Sequence, residues 1–269
     1  MNSKKIILTM CFIGCQILAF AQYIDPVTFR KLDITLDTAT MEVTYRFTFV
    51  CGTLKPDVYT KPDEQTLLIG KKISKYFSQQ LVDKTEQKIF FSDIEGACSF
   101  EIFKKSPEKD RLTVTDIGND FFLGANFQYD EKMPVMDWKL TPDTCVILGY
   151  PCRKATTTFR GRDYEAWFTK AIPVSERPWK FHGLPGLILK VWDSKRQVIF
   201  EYTGHEQLTK PKPILWYGLE YQYITREELS NRYKELLADP LGYAKKYLTQ
   251  VMGQVDYLPP RPYNPIEIE

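Results

Sequence analysis

Two histidines, His182 and His205, are the only imidazoles that this 269-residue sequence offers as general bases near neutral pH. His182 is the better candidate because it adjoins an unusual glycine-rich segment, but no serine lies in the G-x-S-x-G pattern of a nucleophile elbow. Cys152 could instead be a thiol nucleophile with His182 as its general base, although a structural cysteine is the simpler interpretation. The catalytic residues therefore stay unknown, and a hydrolase that uses His182 is an alternative function.

Two carboxylates, Asp163 and Glu165, are two residues apart in a segment with strand character. Side chains at i and i+2 of a strand point to the same face, so we expect the two acids to lie side by side. Glycosidases use paired acids, but these come from separate strands around a cleft. We interpret Asp163 and Glu165 as residues of a solvated outer face.

The cysteines indicate an oxidising compartment rather than a metal site. Four remain outside the first 21 residues, and an even number in an exported chain permits disulfides. Cys145 and Cys152 flank a turn-like stretch, which makes them the candidate disulfide pair, with two free buried thiols as the alternative. The sequence has no C-x-x-C pair and only two histidines, so we expect no zinc site. It also contains no metal-binding or cofactor-binding motif.

The N-terminal 21 residues have the three parts of a secretory signal peptide. Lys4 and Lys5 precede a run of 16 apolar or weakly polar residues that ends in the small-x-small site Ala19-Phe20-Ala21. This run is shorter than the roughly 20 residues of a membrane-spanning helix. Lipoprotein processing at Cys15 is a weaker alternative, because the apolar run continues past it. We expect a periplasmic, outer-membrane-associated or secreted protein that does not span the membrane.

Cleavage after Ala21 would leave 34 basic and 34 acidic residues, a net charge of zero. A nucleic-acid-binding protein normally has a basic excess, so this balance argues against nucleic acid as the partner.

Period-two alternation dominates the body of the chain and predicts a mostly antiparallel sheet. Residues 41–50 alternate most clearly, and Arg160-Gly161-Arg162-Asp163 has the composition of a hairpin turn. The apolar spacing near 72–82 predicts a short helix, and a capping box at Thr225–Glu228 begins C-terminal helices. We expect an α+β, β-dominated fold. The domain boundaries that we predict are a signal peptide at 1–21, one β-rich domain at 22–252 and a proline-rich, solvated tail at 253–269.

The least generic segment is the hexapeptide Gly183, Leu184, Pro185, Gly186, Leu187 and Ile188. Upstream in order are Gly149-Tyr150-Pro151-Cys152-Arg153-Lys154-Ala155 and Ala166-Trp167. Together they resemble the GLPGLI family of exported bacterial proteins, most clearly over residues 138–192. One departure is Arg177-Pro178, where the family often has Gly-Pro. The resemblance implies export and a β-rich fold similar to a curved, half-barrel-like sheet, and it implies no catalytic mechanism, ligand or cofactor.

The hexapeptide has a direct physical interpretation as a turn. Pro185 presets φ near −65° at the second position of a type II turn, and Gly186 can take the positive φ of the third. We interpret it as a structural corner that leads into a core strand. The alternative is a loop that admits a ligand.

Four of the five tryptophans fall in this half of the chain, and they suggest an apolar cavity. The predicted ligand or partner contacts are Trp167, Trp179 and His182. The leading functional hypothesis is a noncatalytic envelope protein that binds an apolar ligand or a protein partner. A structural envelope component that assembles through a sheet edge or the tail is a further alternative.

Overall fold

The computed structural model describes the chain in segments separated by gaps. The described residues are 33–50, 62–82, 100–105, 111–116, 125–174, 176–217, 219–247, 260 and 263–268. The predicted signal peptide with Cys15, and also Cys51 and Cys98, lie outside them.

One twelve-stranded sheet makes up most of the described chain. Its strands are β1 Ile34–Phe49, β2 Asp63–Gly70, β3 Ile73–Ser78, β4 Phe100–Lys105, β5 Arg111–Asp116, β6 Asn126–Lys132, β7 Lys139–Ile147, β8 Tyr150–Phe159, β9 Arg162–Thr169, β10 Leu187–Asp193, β11 Val198–Trp216 and β12 Tyr221–Tyr223. The spatial order is β12-β6-β5-β4-β3-β2-β1-β11-β10-β9-β8-β7. All neighbours are antiparallel except β12 and β6. The β-dominated, curved-sheet prediction is confirmed.

The sheet curls until strands far apart in its order meet. Glu131 of β6 accepts a hydrogen bond of 2.8 Å from Arg160, in the turn between β8 and β9. Buried Lys180, from the β9–β10 loop, reaches the same Glu131 at 2.5 Å. This charged contact joins β6 to the β8–β9 turn and the β9–β10 loop at one end of the curled sheet, which we call the closed end.

Two apolar clusters cover opposite faces of the central strands. The alternation of β1 sends Val43, Tyr45 and Phe47 into the main core. Leu68 and Phe77 belong to a smaller cluster on the other face. Strands near the middle of the sheet are therefore buried on both sides.

This double burial explains why the helix predicted near 72–82 is wrong over most of its length. Residues 73–78 form β3, and only residues 79–82 are helical. Tyr76 packs in the main core and Phe77 in the second cluster. With both faces buried, the polar-apolar alternation that identifies a strand is lost, and the remaining spacing imitates a helix.

The C-terminal helices follow the sheet. They are α1 Arg226–Ala238 and α2 Pro240–Tyr247, and the Thr225–Glu228 capping box is present as predicted. Neither helix has the length and apolar character to cross a membrane, among the residues that the structure describes.

Residues 263–268 are extended but not solvated, in contrast to our expectation for the tail. Ile266 is buried, and the Asn264 side-chain amide donates to the Val50 carbonyl at 2.5 Å. The Ile268 amide donates to the Arg160 carbonyl at 2.9 Å. This segment therefore packs against the closed end of the sheet.

Candidate functional site

Gly183 to Gly186 of the hexapeptide lie in the loop between β9 and β10, which folds onto the core face of the sheet, and Leu187 and Ile188 begin β10. Trp179 of this loop is 2% exposed, with ring centroids 5.1 Å from Phe181 and 5.6 Å from Phe159. Phe181 in turn lies 5.7 Å from Phe200 of β11. Trp179 is thus a core residue in this structure rather than a wall of an open cavity.

Side chains hold this loop and the start of β10 in place mainly through hydrogen bonds to backbone carbonyl groups. The Tyr45 hydroxyl donates to the Ile188 carbonyl at 2.9 Å, and Lys104 Nζ donates to the Arg177 carbonyl at 2.7 Å. Trp138 Nε1 donates to the His182 carbonyl at 2.7 Å. Such bonds hold the backbone path in place, as expected for a structural corner.

His182 is half-buried and uses its Nε2 in a contact with the Pro134 carbonyl. Because a carbonyl accepts, Nε2 carries a proton there. Burial lowers the pKa of His182 first of all, and nearby Lys104 and Arg177 lower it further against the Pro134 bond. The imidazole thus orients backbone in this structure, which leaves a hydrolase centred on His182 without geometric support.

Lys104, which the sequence analysis did not single out, is buried under the same loop near Glu176 and Arg177. Burial lowers the pKa of Lys104 to about 8 from its ordinary 10.5, and Arg177 contributes in the same direction against Glu176. Between these values the unfolded chain keeps a proton that the folded chain has lost. Stability contributed by this group therefore rises with pH through that window.

We expect the free energy of unfolding to rise by roughly 1 kcal/mol between pH 8 and 9 in the native protein relative to Lys104→Met. The comparison stops at pH 9 because burial raises the pKa of Cys152 to about 11 from 9.0, which lowers stability above that pH. Urea unfolding at both pH values measures the difference. Parallel pH profiles for the two proteins would show that Lys104 stays charged in the fold.

A groove of about 720 Å³ lies along the β8–β9–β10 region, where Thr158 and Asp163 are exposed and Thr156 and Glu165 are partly exposed. Its lining includes Thr156 and Thr158 of β8, Asp163 and Glu165 of β9, and Trp192 of β10. The strand register places Thr156 opposite Glu165, Thr158 opposite Asp163, and Glu165 opposite Trp192. Asp137, Lys139, Ser194 and Arg196 also line it, together with the buried residues Thr157 and Tyr164.

The groove's acids have different hydrogen-bond environments. Thr158 Oγ1 donates to Asp163 Oδ1 at 2.6 Å. Trp167 Nε1 donates to Glu165 Oε1 at 3.2 Å, which places Trp167 beside the groove. Lys154 Nζ is 3.9 Å from the other Glu165 oxygen. The groove thus presents acids next to hydroxyl groups on a rigid hairpin.

The face of the Trp192 ring is covered by neighbouring cations. The guanidinium of Arg196 lies 3.7 Å from its ring centroid and Lys190 Nζ lies 5.2 Å from it. The residue is 8% exposed. Cation–π contacts therefore occupy the ring.

Sequence reasoning found two residues of this groove and missed the groove itself. The period of two correctly placed Asp163 and Glu165 on one face. The approach of residues 137–139 to that face depends on how β7 leaves the sheet edge, and no local pattern contains that information. The third predicted contact, His182, is not among the groove's lining residues.

Cys145 and Cys152 are direct cross-strand partners in the β7–β8 hairpin, as the turn predicted. Both are free thiols in this structure, so it does not contain the disulfide. In the described segments, no group of three or more histidine, cysteine or acidic side chains is arranged to hold a metal ion.

A family model matches residues 160–190, from the β8–β9 turn through the hexapeptide into β10, and its description reads "Protein of unknown function (Porph_ging)". Over this short stretch the chain is similar to an uncharacterised protein family. A comparison with curated proteins gives no match.

Among solved structures, two crystal forms of PNGF-II are similar at 17% sequence identity. The P21 form has a TM-score of 0.48 and the match covers 74% of this chain, and the C2 form has 0.49 and 72%. This chain spans about a third of the PNGF-II chain, 33% and 32% in the two forms. At this level we draw nothing about function from the similarity.

Proposed function

We propose that this chain is a noncatalytic binding protein of the bacterial cell envelope that holds an extended polar ligand in the groove along β8, β9 and β10. One observation carries the proposal: a groove of about 720 Å³ lined by hydroxyls, carboxylates and two cations on a rigid hairpin. That volume is in the range of known ligand sites. We prefer a polar ligand to the apolar one of the sequence-based hypothesis because Trp179 packs in the core and because hydroxyl, carboxylate and cationic side chains line the groove.

A substitution that fills the groove tests this proposal. Thr156→Trp places an indole on the groove floor, and Thr203→Trp places one at an exposed position of β11, outside the groove lining. The probes are defined octapeptides of basic, acidic and neutral composition and a neutral hexasaccharide, followed by calorimetry. We expect one probe class to bind the native chain and Thr203→Trp alike and to lose at least tenfold in affinity with Thr156→Trp. Equal affinity for all three proteins, or no binding by any probe, would contradict the proposal.

Export and membership in the GLPGLI family complete the proposal, and they rest on the sequence. Residues 1–21 supply the signal pattern, and the family model of unknown function matches the segment that contains the hexapeptide. Expression of the full chain in a Gram-negative host, followed by N-terminal sequencing of the envelope fraction, should give Gln22 as the first residue. A lipid-modified Cys15 would instead support the lipoprotein alternative.

An exported protein would encounter an oxidising compartment, and there we expect Cys145 and Cys152 to form a disulfide. Directly opposed strand residues have Cα separations of about 5.5 Å or less, within disulfide range. Burial raises the pKa of both thiols, so a bond once formed would exchange slowly with other thiols. Mass spectrometry of unreduced peptides from envelope-purified protein should show the linked pair. Free thiol on Cys152 would exclude it.

A further inference from the structure

The groove repeats one side-chain pair along the β8–β9 hairpin. Thr158 faces Asp163, and two residues further along Thr156 faces Glu165. Each hydroxyl–carboxylate pair is therefore separated from the next by two strand residues, about 7 Å. The same distance separates side chains i and i+2 of an extended polypeptide.

We propose that the ligand of the groove is an extended polypeptide segment with basic side chains at alternate positions. This inference rests on the proposed function and adds the class of ligand. Each lysine or arginine would meet one carboxylate in a charge-assisted hydrogen bond while the neighbouring threonine contacts the peptide. The spacing of the threonine–carboxylate pairs, about 7 Å, then matches the spacing of alternate side chains in the extended ligand.

A neighbouring row of cross-strand partners on the same face serves as a comparison. It consists of Lys154, Trp167, Lys190 and Glu201. There Lys190 and Glu201 pair with each other at 2.6 Å, and Lys154 lies over the Trp167 ring at 5.7 Å. Lys154 also pairs with Asp143 and lies 3.9 Å from Glu165, so it partly balances that groove acid. In the groove, the hydrogen bond to Asp163 comes from the neutral hydroxyl of Thr158.

The lining also favours a peptide over a sugar. Recognition of a sugar ring commonly uses an open aromatic face, whereas Arg196 covers the ring of Trp192. Three carboxylates, Asp137, Asp163 and Glu165, outnumber the cations Lys139 and Arg196 in the lining. This excess is one negative charge among the lining residues, and Lys154 lies 3.9 Å from Glu165 beside them. The excess favours a basic segment over an acidic one and predicts that affinity falls with salt.

Four probes test the inference against the full chain. They are an octapeptide of alternating threonine and lysine, its glutamate counterpart, a peptide of the same composition with the lysines in one block, and a neutral hexasaccharide. The variant is Asp163→Asn with Glu165→Gln. The control is Glu64→Gln, an exposed β2 carboxylate outside the groove lining.

The alternating lysine peptide should bind best, at least fivefold more tightly than the blocked peptide. The double variant should weaken it at least tenfold, and Glu64→Gln should leave it unchanged, with equal thermal unfolding for all three proteins. Equal affinity for the two lysine peptides, or an unaffected double variant, would overturn the inference. Binding of the hexasaccharide or the glutamate peptide that Thr156→Trp abolishes would overturn it while leaving the proposed function intact. Absence of binding by every probe would remove both.

Discussion

Gly186→Ala is expected to lower the free energy of unfolding by about 3 kcal/mol or more. We expect this to be the largest effect of adding one methyl group to a glycine of the hexapeptide. Gly186 has a φ of +116°, a conformation that alanine rarely adopts. An added Cβ would also lie 2.8 Å from the Thr169 carbonyl carbon and closer still to its oxygen. The clash is with backbone at the end of β9, which cannot rotate away as a side chain can. Urea denaturation monitored by tryptophan fluorescence measures the loss.

Gly149→Ala is the matched control for this prediction. Gly149 also has a positive φ, +83°, but nothing lies within 4 Å of its added Cβ. We expect it to cost about 1 kcal/mol, from backbone strain alone. The excess for Gly186→Ala then measures the contact with Thr169. Equal losses in both variants would show that the β9 end moves aside and that the hexapeptide is not a rigid corner.

Arg162→Met should destabilise the fold by about 3–5 kcal/mol, because it leaves the buried Asp193 without its cation. Arg162 is 3% exposed and its Nη1 is 2.7 Å from Asp193 Oδ2. Its Nε donates to the Ile266 carbonyl at 3.0 Å and its Nη2 to the Pro265 carbonyl at 2.6 Å. One guanidinium thus joins β9, the end of β10 and the C-terminal segment. Chemical denaturation gives the magnitude, and hydrogen exchange of residues 263–268 shows whether the segment is released.

A truncation separates the two roles of Arg162. Removing residues 263–269 deletes the acceptors in the C-terminal segment and keeps Asp193. If Arg162 holds that segment, Arg162→Met in the truncated chain should cost less than in the full chain, with a coupling of about 1 kcal/mol or more. Additive effects would mean that the docked segment does not depend on Arg162, in contradiction to its hydrogen bonds.

Local patterns predicted the fold well wherever one face of a strand is wet. The alternation of residues 41–50 identified β1. The turn predicted at residues 160–163 located the β8–β9 turn, in which Arg160 and Gly161 have positive φ, although residues 162 and 163 already belong to β9. β4 was missed because Glu101 and Lys104 suggest exposure, whereas both are buried. Glu101 is paired at 2.6 Å with Lys75, a partner from another strand that the sequence does not reveal.

The candidate site was harder to predict than the fold for a related reason. The motif that dominates the sequence, Gly183 to Ile188, forms a corner whose role is packing. The groove uses common residues, threonines and acids, whose significance depends on which strands become neighbours. Local spacing fixes the direction of Asp163 and Glu165. The residues that enclose them come from elsewhere, Asp137 and Lys139 at the start of β7 and Ser194 and Arg196 after β10.

The position of β1 in the sheet has a consequence for how the chain folds. β1 lies between β2 and β11, so one of its two partners is the hairpin neighbour and the other begins at Val198. During synthesis β1 keeps an unpaired side until nearly the whole chain has emerged, and pairing of such distant segments is slow. The docking of residues 263–268 comes later still. The sheet is therefore completed only when the last third of the chain is available.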